Sequence, residues 1–486
     1  MDKTVCILGA GLAGSEAALQ LAARGVRVRL VEMRPDRPTA VHTGGDCAEL
    51  VCSNSLKSTK AASAAGMLKE ELAALGSFLY AEALECAVPA GGALAVDRER
   101  FSKAVTAAVE AHPLVELERR EAVSLAREAQ GADAVLAASG PLTSEALAGD
   151  LERLTGADHL AFYDAAAPIV LADSLDFDVL FRQSRYEDAG AGGEGPGAPA
   201  RGDYLNAPFD KPSYEAFIDA LLGARRVVAR DFETRELFAA CQPIEEIARS
   251  GRDAPRFGPL KPVGLTDPRT GRRPWAALQL RAEDRARQSY NLVGFQTNLA
   301  FPEQRRVFRL IPGLERAEFS RYGVMHRNTF IDAPRLLGSD LRLHRDVVPD
   351  GGGAVPVYVA GQLAGTEGYC EAIRSGLHAA LCIAARLSSV RAPEVPRETA
   401  FGALLAYATD PSVADYQPMH VNFGIMEPLE RRVRNKAARY EAYARRGGEA
   451  LGRYRDELSR AGLLPEGLPC EPAGEARLED AEAGDG

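Results

Sequence analysis

The glycines near the start of the chain have the spacing of a phosphate-binding turn. They lie between an apolar strand and an alanine-rich helix, within residues 5–32. Gly9 would permit a tight turn, Gly11 would let the backbone approach a pyrophosphate, and Gly14 would allow the helix to lie close to the sheet. The N–H groups and the positive dipole end of that helix would attract phosphates. The predicted phosphate-binding residues are Gly9, Ala10, Gly11, Leu12, Ala13 and Gly14.

Glu32 completes this pattern at the end of the second predicted strand, 18 residues after Gly14. Its carboxylate is placed to accept hydrogen bonds from a ribose and would repel the 2′-phosphate of NADP. One alternative is that the glycines form a turn of an ordinary α/β unit that binds no nucleotide. Such a turn would not need both strands, the helix and the terminal acid together. An S-adenosylmethionine methyltransferase is a second alternative, but its glycine loop usually begins with an acid and is not followed by later glycine turns like those of this chain. We therefore predict bound FAD.

The elements that must position this site follow along the chain. Residues 93–112 predict a strand and then a helix with Asp97 as its N-cap. Residues 114–125 alternate like a strand, and residues 133–144 indicate a buried strand that opens onto a glycine turn. Residues 355–387 predict a strand, a glycine turn and a long helix whose N-terminus would approach the flavin.

The length of 486 residues suggests about three domains. We predict an α/β fold with a discontinuous, Rossmann-like FAD-binding domain at residues 1–145 and 321–400, an inserted α+β domain at 146–320, a helical C-terminal segment at 401–463 and a disordered acidic tail at 464–486. Within the insertion, the Gly/Ala/Pro-rich run at 189–203 predicts a flexible surface loop.

The charge of the chain is unevenly distributed. The net charge is −10, and residues 466–486 alone carry −6, so the remaining chain is nearly neutral. Two basic clusters stand out, at residues 305–327 and in a predicted basic helix at 430–446. Both are typical of solvated helix faces, but local phosphate contacts can also bind RNA on an acidic protein. We therefore keep an RNA partner, and no DNA partner, as the alternative to solvated helix faces.

Targeting and metal signals are absent from the sequence. The first strand begins within five residues of Met1, which leaves no room for a signal peptide. No apolar run approaches the 18 residues of a membrane span. The eight cysteines form no CxxC pair, which indicates cytosolic thiols and argues against structural zinc. We expect a cytoplasmic protein without a metal or a membrane partner, and the sequence leaves monomer and homodimer open.

Several longer motifs carry a specific resemblance. They run in order from residue 4 to about residue 440 and include AELVCSNSLKS, CQPIEEIA, FGPLKPVGL and GQLAGTEGYCEAIRSG. The chain resembles the TrmFO family, the folate- and FAD-dependent tRNA (uracil-5-)-methyltransferases among the GidA-like flavoproteins. The resemblance implies a glutathione-reductase-like, GidA-type FAD-binding domain. It adds Gly361 and Gln362 to the cofactor-binding residues, together with Tyr369, which could stack on the flavin or folate or could only pack.

The resemblance also implies a reaction. The methylene group of 5,10-methylenetetrahydrofolate is delivered to carbon 5 of a T-loop uridine in tRNA, a hydride from FAD completes the methyl group, and NADH or NADPH reduces the flavin. Carbon 5 of uracil is a poor nucleophile, so a thiolate must first add to carbon 6. A base must later remove the carbon-5 proton so that the thiolate can leave.

Two cysteines are assigned to these steps by the resemblance. Cys241 is the attacking thiolate, and Cys52 is the second catalytic thiol and the base. Glu245 and Glu246, which follow Cys241, are predicted to flank a helix N-terminus rather than to perform acid–base chemistry. Most cysteines in proteins are buried and unreactive. We expect this of Cys6, Cys47, Cys86, Cys370 and Cys382.

Three other functions stay open at this point. The same chemistry on a ribosomal RNA uridine shares every motif, so only an assay of each RNA separates it. A flavin-stabilised RNA-binding or folding factor would not depend on Cys241 for its role. A plain FAD oxidase would turn over NADH rapidly in oxygen and would not bind tRNA.

Overall fold

The computed structural model describes residues 3–39, 41–156, 160–185, 202–227, 242–413, 416–464 and 468. Cys241 lies outside the described residues, as do nearly all of the predicted 189–203 loop and nearly all of the predicted 464–486 tail.

Within these residues the chain forms sixteen strands and fourteen α-helices. The strands are β1 (Thr4–Leu8), β2 (Arg27–Glu32), β3 (Ser55–Ser58), β4 (Ala87–Val88), β5 (Ala93–Val96), β6 (Val115–Arg119), β7 (Ala134–Ala137), β8 (Leu160–Ala165), β9 (Ile169–Leu171), β10 (Phe181–Arg182), β11 (Tyr204–Phe209), β12 (Ala276–Ala282), β13 (Ser289–Leu292), β14 (Phe319–Arg321), β15 (Met325–Phe330) and β16 (Val357–Val359). The helices are α1 (Leu12–Ala22), α2 (Ala64–Ala74), α3 (Phe78–Glu85), α4 (Arg98–Ala111), α5 (Leu125–Glu128), α6 (Glu145–Thr155), α7 (Lys211–Leu222), α8 (Ile244–Ser250), α9 (Ala254–Phe257), α10 (Phe301–Phe308), α11 (Ala333–Leu336), α12 (Tyr369–Leu387), α13 (Ala400–Ala408) and α14 (Lys436–Arg460).

A five-stranded parallel sheet carries the glycine-rich turn. Its strand order is β16-β7-β1-β2-β6, and every pair is parallel. Strand β1 is apolar and almost completely buried, as expected for a central strand of a parallel sheet. Because β16 comes from residues 357–359, two parts of the chain that are distant in sequence complete this sheet.

Helices α1 and α12 cover this sheet side by side. A Cβ at Gly376, in α12, would lie 2.1 Å from the carbonyl oxygen of Ala13, so only glycine permits this close approach. A Cβ at Gly361 would lie 3.1 Å from the Cβ of Ala13. The turn that precedes α12 therefore lies against the first turn of α1, and both glycine turns meet at one edge of the sheet.

A six-stranded antiparallel sheet forms the second half of the molecule, in the order β10-β11-β12-β13-β9-β14. Phenylalanines from its strands, loops and helices α7 and α10 build a separate apolar core. Strands β8 and β15, which pair antiparallel, lie in the two stretches of chain that connect the halves. The small sheet β3-β5-β4 holds the chain that follows Cys52.

A buried ion pair joins α2 to α12, and the C-terminal helix α13 packs on it. The Arg374 Nε lies 3.4 Å from a carboxylate oxygen of Glu71, and the guanidinium lies 4.4 Å from the centre of the Phe401 ring in α13. Both charged side chains are almost fully buried. None of the described helices combines the length and the apolar character needed to cross a membrane.

Two predicted boundaries were wrong. Strand β6 covers only Val115–Arg119 of the 114–125 segment, because Ser124 begins α5 by accepting the N–H of Arg127. The basic segment 430–446 is helical only from Lys436. The Asn435 side chain accepts the N–H of Ala438 and so fixes the start of α14 there.

Candidate active site

The glycine-rich turn has an open face and unsatisfied donors. Gly9 has φ +100°, and a Cβ there would lie 2.6 Å from the Cα of Ser139. A Cβ at Gly14 would lie 1.9 Å from the carbonyl oxygen of Gly9. At Gly11, by contrast, a Cβ would meet nothing within 4 Å. Gly11 precedes α1, and none of the described side chains caps that helix. Free N–H groups beside open space fit a pyrophosphate.

Glu32 lies next to this turn and is held by three hydrogen bonds. Its Oε2 accepts the N–H of Ala10 at 2.8 Å, and its Oε1 accepts the backbone N–H and the Nε–H of Arg34 at 3.0 and 2.9 Å. Burial alone would raise the pKa of Glu32, but the charge and hydrogen bonds of Arg34 outweigh it, so the pKa is lowered. The carboxylate is therefore ionised and fixed at the edge of the turn.

A cleft opens where β1, β2 and β7 end. Gly9, Glu32, Ser139 and Thr143 are among the residues that line it. Ligands of open parallel sheets bind at the carboxyl ends of the strands, and this cleft opens at that end of the sheet beside the glycine turn.

The second glycine turn leads into α12. Gly361, Gly365 and Gly368 all have positive φ angles, of +75°, +77° and +116°. The N–H of Gly361 donates to the Oγ of Ser375 at 2.7 Å, which ties the turn back to the helix. Only glycine adopts these conformations without strain, so this part of the sequence must form a tight turn at the N-terminus of α12.

A buried carboxyl group lies within this turn. Glu367 contacts the side-chain amide of Gln362. Burial, together with the negative charge of Asp164, raises the pKa of Glu367 to about 8. Gln362 therefore has a polar partner inside the protein, and Glu367 is a site that retains a proton near neutral pH.

The loop that carries Cys52 is fixed by contacts from distant parts of the chain. The N–H groups of Cys52 and Ser53 both donate to the hydroxyl oxygen of Tyr369 at 3.1 Å, and Tyr369 is the first residue of α12. Arg281 donates to the Oγ of Ser53 at 2.6 Å and to the Oδ1 of Asn54 at 2.7 Å. The loop therefore joins the N-terminus of α12 to strand β12 of the second sheet.

The Cys52 thiol has polar neighbours and remains accessible. Its Sγ lies 3.8 Å from the carbonyl oxygen of Ala165 and 4.0 Å from the Nε2 of Gln296. Among the cysteines that the structure describes, Cys52 is the one that is not buried. Burial raises the pKa of each of the other five. These are Cys6, Cys47, Cys86, Cys370 and Cys382.

The chain that follows Cys241 is bonded to the residues beside Cys52. The N–H of Ile244 donates to the carbonyl oxygen of Gln296 at 2.8 Å. The Glu245 carboxylate accepts the Asn298 N–H at 2.6 Å and the Thr297 hydroxyl at 3.0 Å. Both Glu245 and Glu246 lie in the first turn of α8. Glu245, however, is fully buried, and burial raises its pKa to about 7.

A guanidinium group faces this region. The Nε of Arg98 pairs with Glu283 at 2.9 Å, and its Nη1 donates to the carbonyl oxygen of Leu50 at 2.6 Å. Its Nη2 is buried and has no hydrogen-bond partner among the described residues. Burial lowers the pKa of Arg98, but Glu283, Tyr369 and Cys52 act in the opposite direction, and the net shift is upward. The site therefore contains a permanent cation that has one hydrogen-bond donor without a partner among the described residues.

The predicted basic cluster at 305–327 is not one continuous patch. Arg309 donates to the carbonyl oxygen of Ala317 at 2.9 and 3.0 Å, and Arg321 donates to that of Val41 at 2.6 Å. These two guanidinium groups hold backbone in place. Among the arginines of this segment whose side chains the structure describes, Arg305, Arg306 and Arg316 are exposed.

Comparisons with known proteins agree with this architecture. Residues 4–390 match the family model described as "Glucose inhibited division protein A". A protein of Geobacter sulfurreducens named methylenetetrahydrofolate--tRNA-(uracil-5-)-methyltransferase TrmFO is 53% identical over 440 residues, covering 90% of this chain and 96% of that protein. A protein of Heliobacterium modesticaldum with the same name is 50% identical over 455 residues, covering 93% and 98%. The chain belongs to the TrmFO family.

A solved structure confirms the fold class predicted for this TrmFO-family chain. Aquifex aeolicus GidA, in its form II crystal, superimposes with a TM-score of 0.66 at 16% sequence identity, covering 96% of this chain and 74% of that one. The match shows that the two chains share the GidA fold. The predicted family resemblance is confirmed as well.

Sequence reasoning missed several residues of this TrmFO-family site. Arg98, Arg281 and Gln296 contact the Cys52 loop or its surroundings, but none lies in a motif that indicates chemistry. Glu245 is predicted to flank a helix N-terminus, and it lies in the first turn of α8. It is also fully buried and accepts hydrogen bonds from Thr297 and Asn298. The local sequence signal for this role of Glu245 is its position in the motif that begins at Cys241.

Proposed function

We propose that this chain methylates carbon 5 of the T-loop uridine in tRNA. The carbon comes from 5,10-methylenetetrahydrofolate, FAD is the bound cofactor, and NADH or NADPH is the reductant. Bound FAD, once reduced, supplies the electrons that convert the methylene group into a methyl group. The names of relatives about half identical over nine-tenths of the chain support this assignment.

The two glycine turns are the places where the chain would hold FAD. Residues Gly9 to Gly14 supply free N–H groups and open space for the pyrophosphate, and Glu32 lies at the ribose end of the cleft. The turn at Gly361 and Gln362 lies against the same helix and precedes the N-terminus of α12. We assign no second dinucleotide site to NAD(P)H, because the chain has one glycine fingerprint; the reductant would bind only transiently.

Cys241 is the proposed nucleophile. Its thiolate adds to carbon 6 of the uracil, which turns carbon 5 into an enolate carbon that attacks the one-carbon unit. What supports this role is the bonding of Ile244 and Glu245 to residues 296–298, since Gln296 also contacts the Cys52 thiol. The chain three residues after Cys241 is thereby tied to the surroundings of the second thiol.

Cys52 is the proposed base. It removes the carbon-5 proton after the one-carbon unit is attached, and the electron pair of that C–H bond then expels the Cys241 thiolate from carbon 6. Arg98 lies beside the Cys52 loop, where it donates to the carbonyl oxygen of Leu50. The observation that carries the proposal is that the one unburied cysteine among the described residues is bonded through its loop to the N-terminus of α12.

A uridine inside the T-loop must leave its stack to reach these groups. Such flipping costs a few kcal/mol, which contacts to the phosphates and to the flipped base must offset. The exposed arginines Arg305, Arg306 and Arg316 are candidates for phosphate contacts, as are the basic residues at 430–446.

The proposed nucleophile can be tested with RNA that carries 5-fluorouridine at the target position. Fluorine cannot leave as a proton does, so a thiolate adduct that has received the one-carbon unit stays attached to the RNA. With methylenetetrahydrofolate and NADPH present, the unchanged protein should form an RNA adduct that survives denaturing electrophoresis, and Cys241→Ser should form none. Cys382→Ser is the matched control, because Cys382 is buried away from the site.

The same variant separates this proposal from an RNA-binding or folding factor. Cys241→Ser should abolish methylation and leave the affinity for tRNA unchanged. Full methylation by Cys241→Ser would overturn the proposed role of this residue, and methylation of ribosomal RNA instead of tRNA would overturn the substrate.

A further inference from the structure

An aromatic ladder runs from the core of the second half to the protein surface. Successive ring centres along it are 4.9 to 6.4 Å apart. Its rings, from inside to outside, are Phe209, Phe217, Phe295, Phe308, Phe319, Tyr322 and Phe301. The first four are buried, the next two are half-buried, and Phe301 is 49% exposed.

The outer three rings are stacked nearly face to face. Tyr322 and Phe301 are 4.9 Å apart with an angle of 17° between their planes, and Phe319 and Tyr322 are 5.2 Å apart at 14°. The Tyr322 hydroxyl accepts hydrogen bonds from Arg305 at 2.8 and 3.2 Å. The stack is therefore rigid, ends in a half-exposed ring and has a guanidinium group at its edge.

The stack lies close to the accessible thiol. A Cβ at Gly323, next to Tyr322, would lie 2.7 Å from the carbonyl oxygen of Ala166 and 2.6 Å from the Cγ2 of Thr297. The neighbours of those two residues, Ala165 and Gln296, are the residues that contact the Cys52 Sγ. The backbone next to Tyr322 is therefore packed against the neighbours of the residues that contact Cys52.

We infer that Phe301 and Tyr322 form a stacking platform for an RNA base that neighbours the target uridine. The inference rests on the proposed function, because it takes the substrate to be a flipped nucleotide of an RNA loop. Unstacked RNA bases are recognised mainly by stacking on aromatic rings and on arginine planes. Exposed Arg305 and Arg306 lie on the same helix as Phe301, α10. There they would contact the phosphates next to the stacked base.

The partner is RNA rather than protein because of where the platform lies. Through Gly323 it is joined to the residues around the Cys52 thiol, and it combines a flat π-face with cations instead of a wide apolar groove. A base held here would stabilise the opened loop and offset part of the cost of flipping the target.

The test is the affinity of a T-arm hairpin RNA, measured by fluorescence anisotropy without folate or reductant. Phe301→Leu keeps apolar volume but removes the π-face, and should weaken binding about tenfold, the loss typical of one base–aromatic stack. Phe301→Trp should restore the affinity. Phe257→Leu is the matched control, because Phe257 is 82% exposed on α9, outside the ladder, and should bind RNA as the unchanged protein does. The FAD content of each variant reports that it is folded.

A second set of hairpins identifies the stacked base. Each loop nucleotide next to the target is replaced in turn by an abasic one. One replacement should weaken binding about tenfold for the unchanged protein and hardly at all for Phe301→Leu, since the stack is then already lost. Equal affinity of Phe301→Leu and the unchanged protein would overturn the platform, whatever the outcome for methylation. A protein that binds the hairpin through Phe301 but never methylates RNA would instead overturn the proposed function and leave the platform standing.

Discussion

The glycine-rich turn and the Cys52 loop show two ways of building a site. In the turn, the decisive contacts join residues that are close in sequence: Gly14 to Gly9, and Ala10 to Glu32, 22 residues away. The Cys52 loop is held by residues 227 to 317 positions away, and the thiol itself touches Gln296, 244 positions away. The residues of one sequence motif form the first site, whereas the second site exists only after both halves of the molecule have folded.

The largest effect is expected inside the turn. Gly14→Ala would place a methyl group 1.9 Å from the carbonyl oxygen of Gly9, which neither backbone can avoid. We expect the free energy of unfolding to fall by more than about 3 kcal/mol, beyond the usual cost of overpacking. Thermal unfolding of the apoprotein measures it.

Gly11→Ala is the matched control for that substitution. Its methyl group meets no protein atom within 4 Å, so the stability should change by less than about 1 kcal/mol. The methyl group would, however, occupy the space proposed for the pyrophosphate, and FAD should be lost. The account of the turn fails if both variants unfold like the unchanged protein or if Gly11→Ala retains FAD fully.

Cys52 and Cys370 allow the second site to be tested with one kind of change. Cys52→Ser should lower the methylation rate about 10²- to 10⁴-fold, the usual contribution of a positioned base, while FAD stays bound. Cys370→Ser should keep most activity, because the Cys370 thiol is buried and its pKa is raised to about 11. Single-turnover methylation of unmodified tRNA measures both. Equal rates for the two variants would contradict the special position of Cys52.

The long-range bonds of the loop are tested at Arg281. Arg281→Met removes both hydrogen bonds to Ser53 and Asn54. We expect the methylation rate to fall up to about 100-fold, because a displacement near 1 Å has that effect on positioned groups. Arg252→Met serves as the control, since Arg252 pairs only with exposed Asp219 in the described structure. Retained activity in Arg281→Met would show that the loop is held locally.

The last effect concerns Glu245 and appears only when the pH is changed. Its pKa is raised by burial from 4.5 to about 7, so the folded protein keeps a proton that the unfolded chain has already released. The contribution of Glu245 to stability is therefore fully present below pH 4.5 and is lost as the pH rises through 7. Glu245→Gln removes this loss, and between pH 5 and pH 8 the variant should gain up to roughly 3 kcal/mol on the unchanged protein. Urea unfolding at both pH values measures the difference, and a constant difference would contradict the burial argument.

The sequence predicted the turn better than the thiol site for a physical reason. Gly9, Gly11 and Gly14 obey steric rules that act over a few residues, so their spacing alone indicates phosphate binding. The α/β fold class followed from the same segment and from residues 355–387. Arg281, Gln296 and Arg98 gain their roles only from the packing of β12, the loop after β13 and α4 around the Cys52 loop. The assignment of Cys52 and Cys241 needed the family resemblance and stays a prediction.

The origin of the methyl group tests the central claim most directly. The protein is incubated with unmodified tRNA, NADPH and either methylenetetrahydrofolate labelled in its methylene carbon or S-adenosylmethionine labelled in its methyl group, and the T-loop nucleosides are then analysed by mass spectrometry. We expect labelled 5-methyluridine from the folate only. Label from S-adenosylmethionine, or unmodified uridine with both donors, would contradict the account.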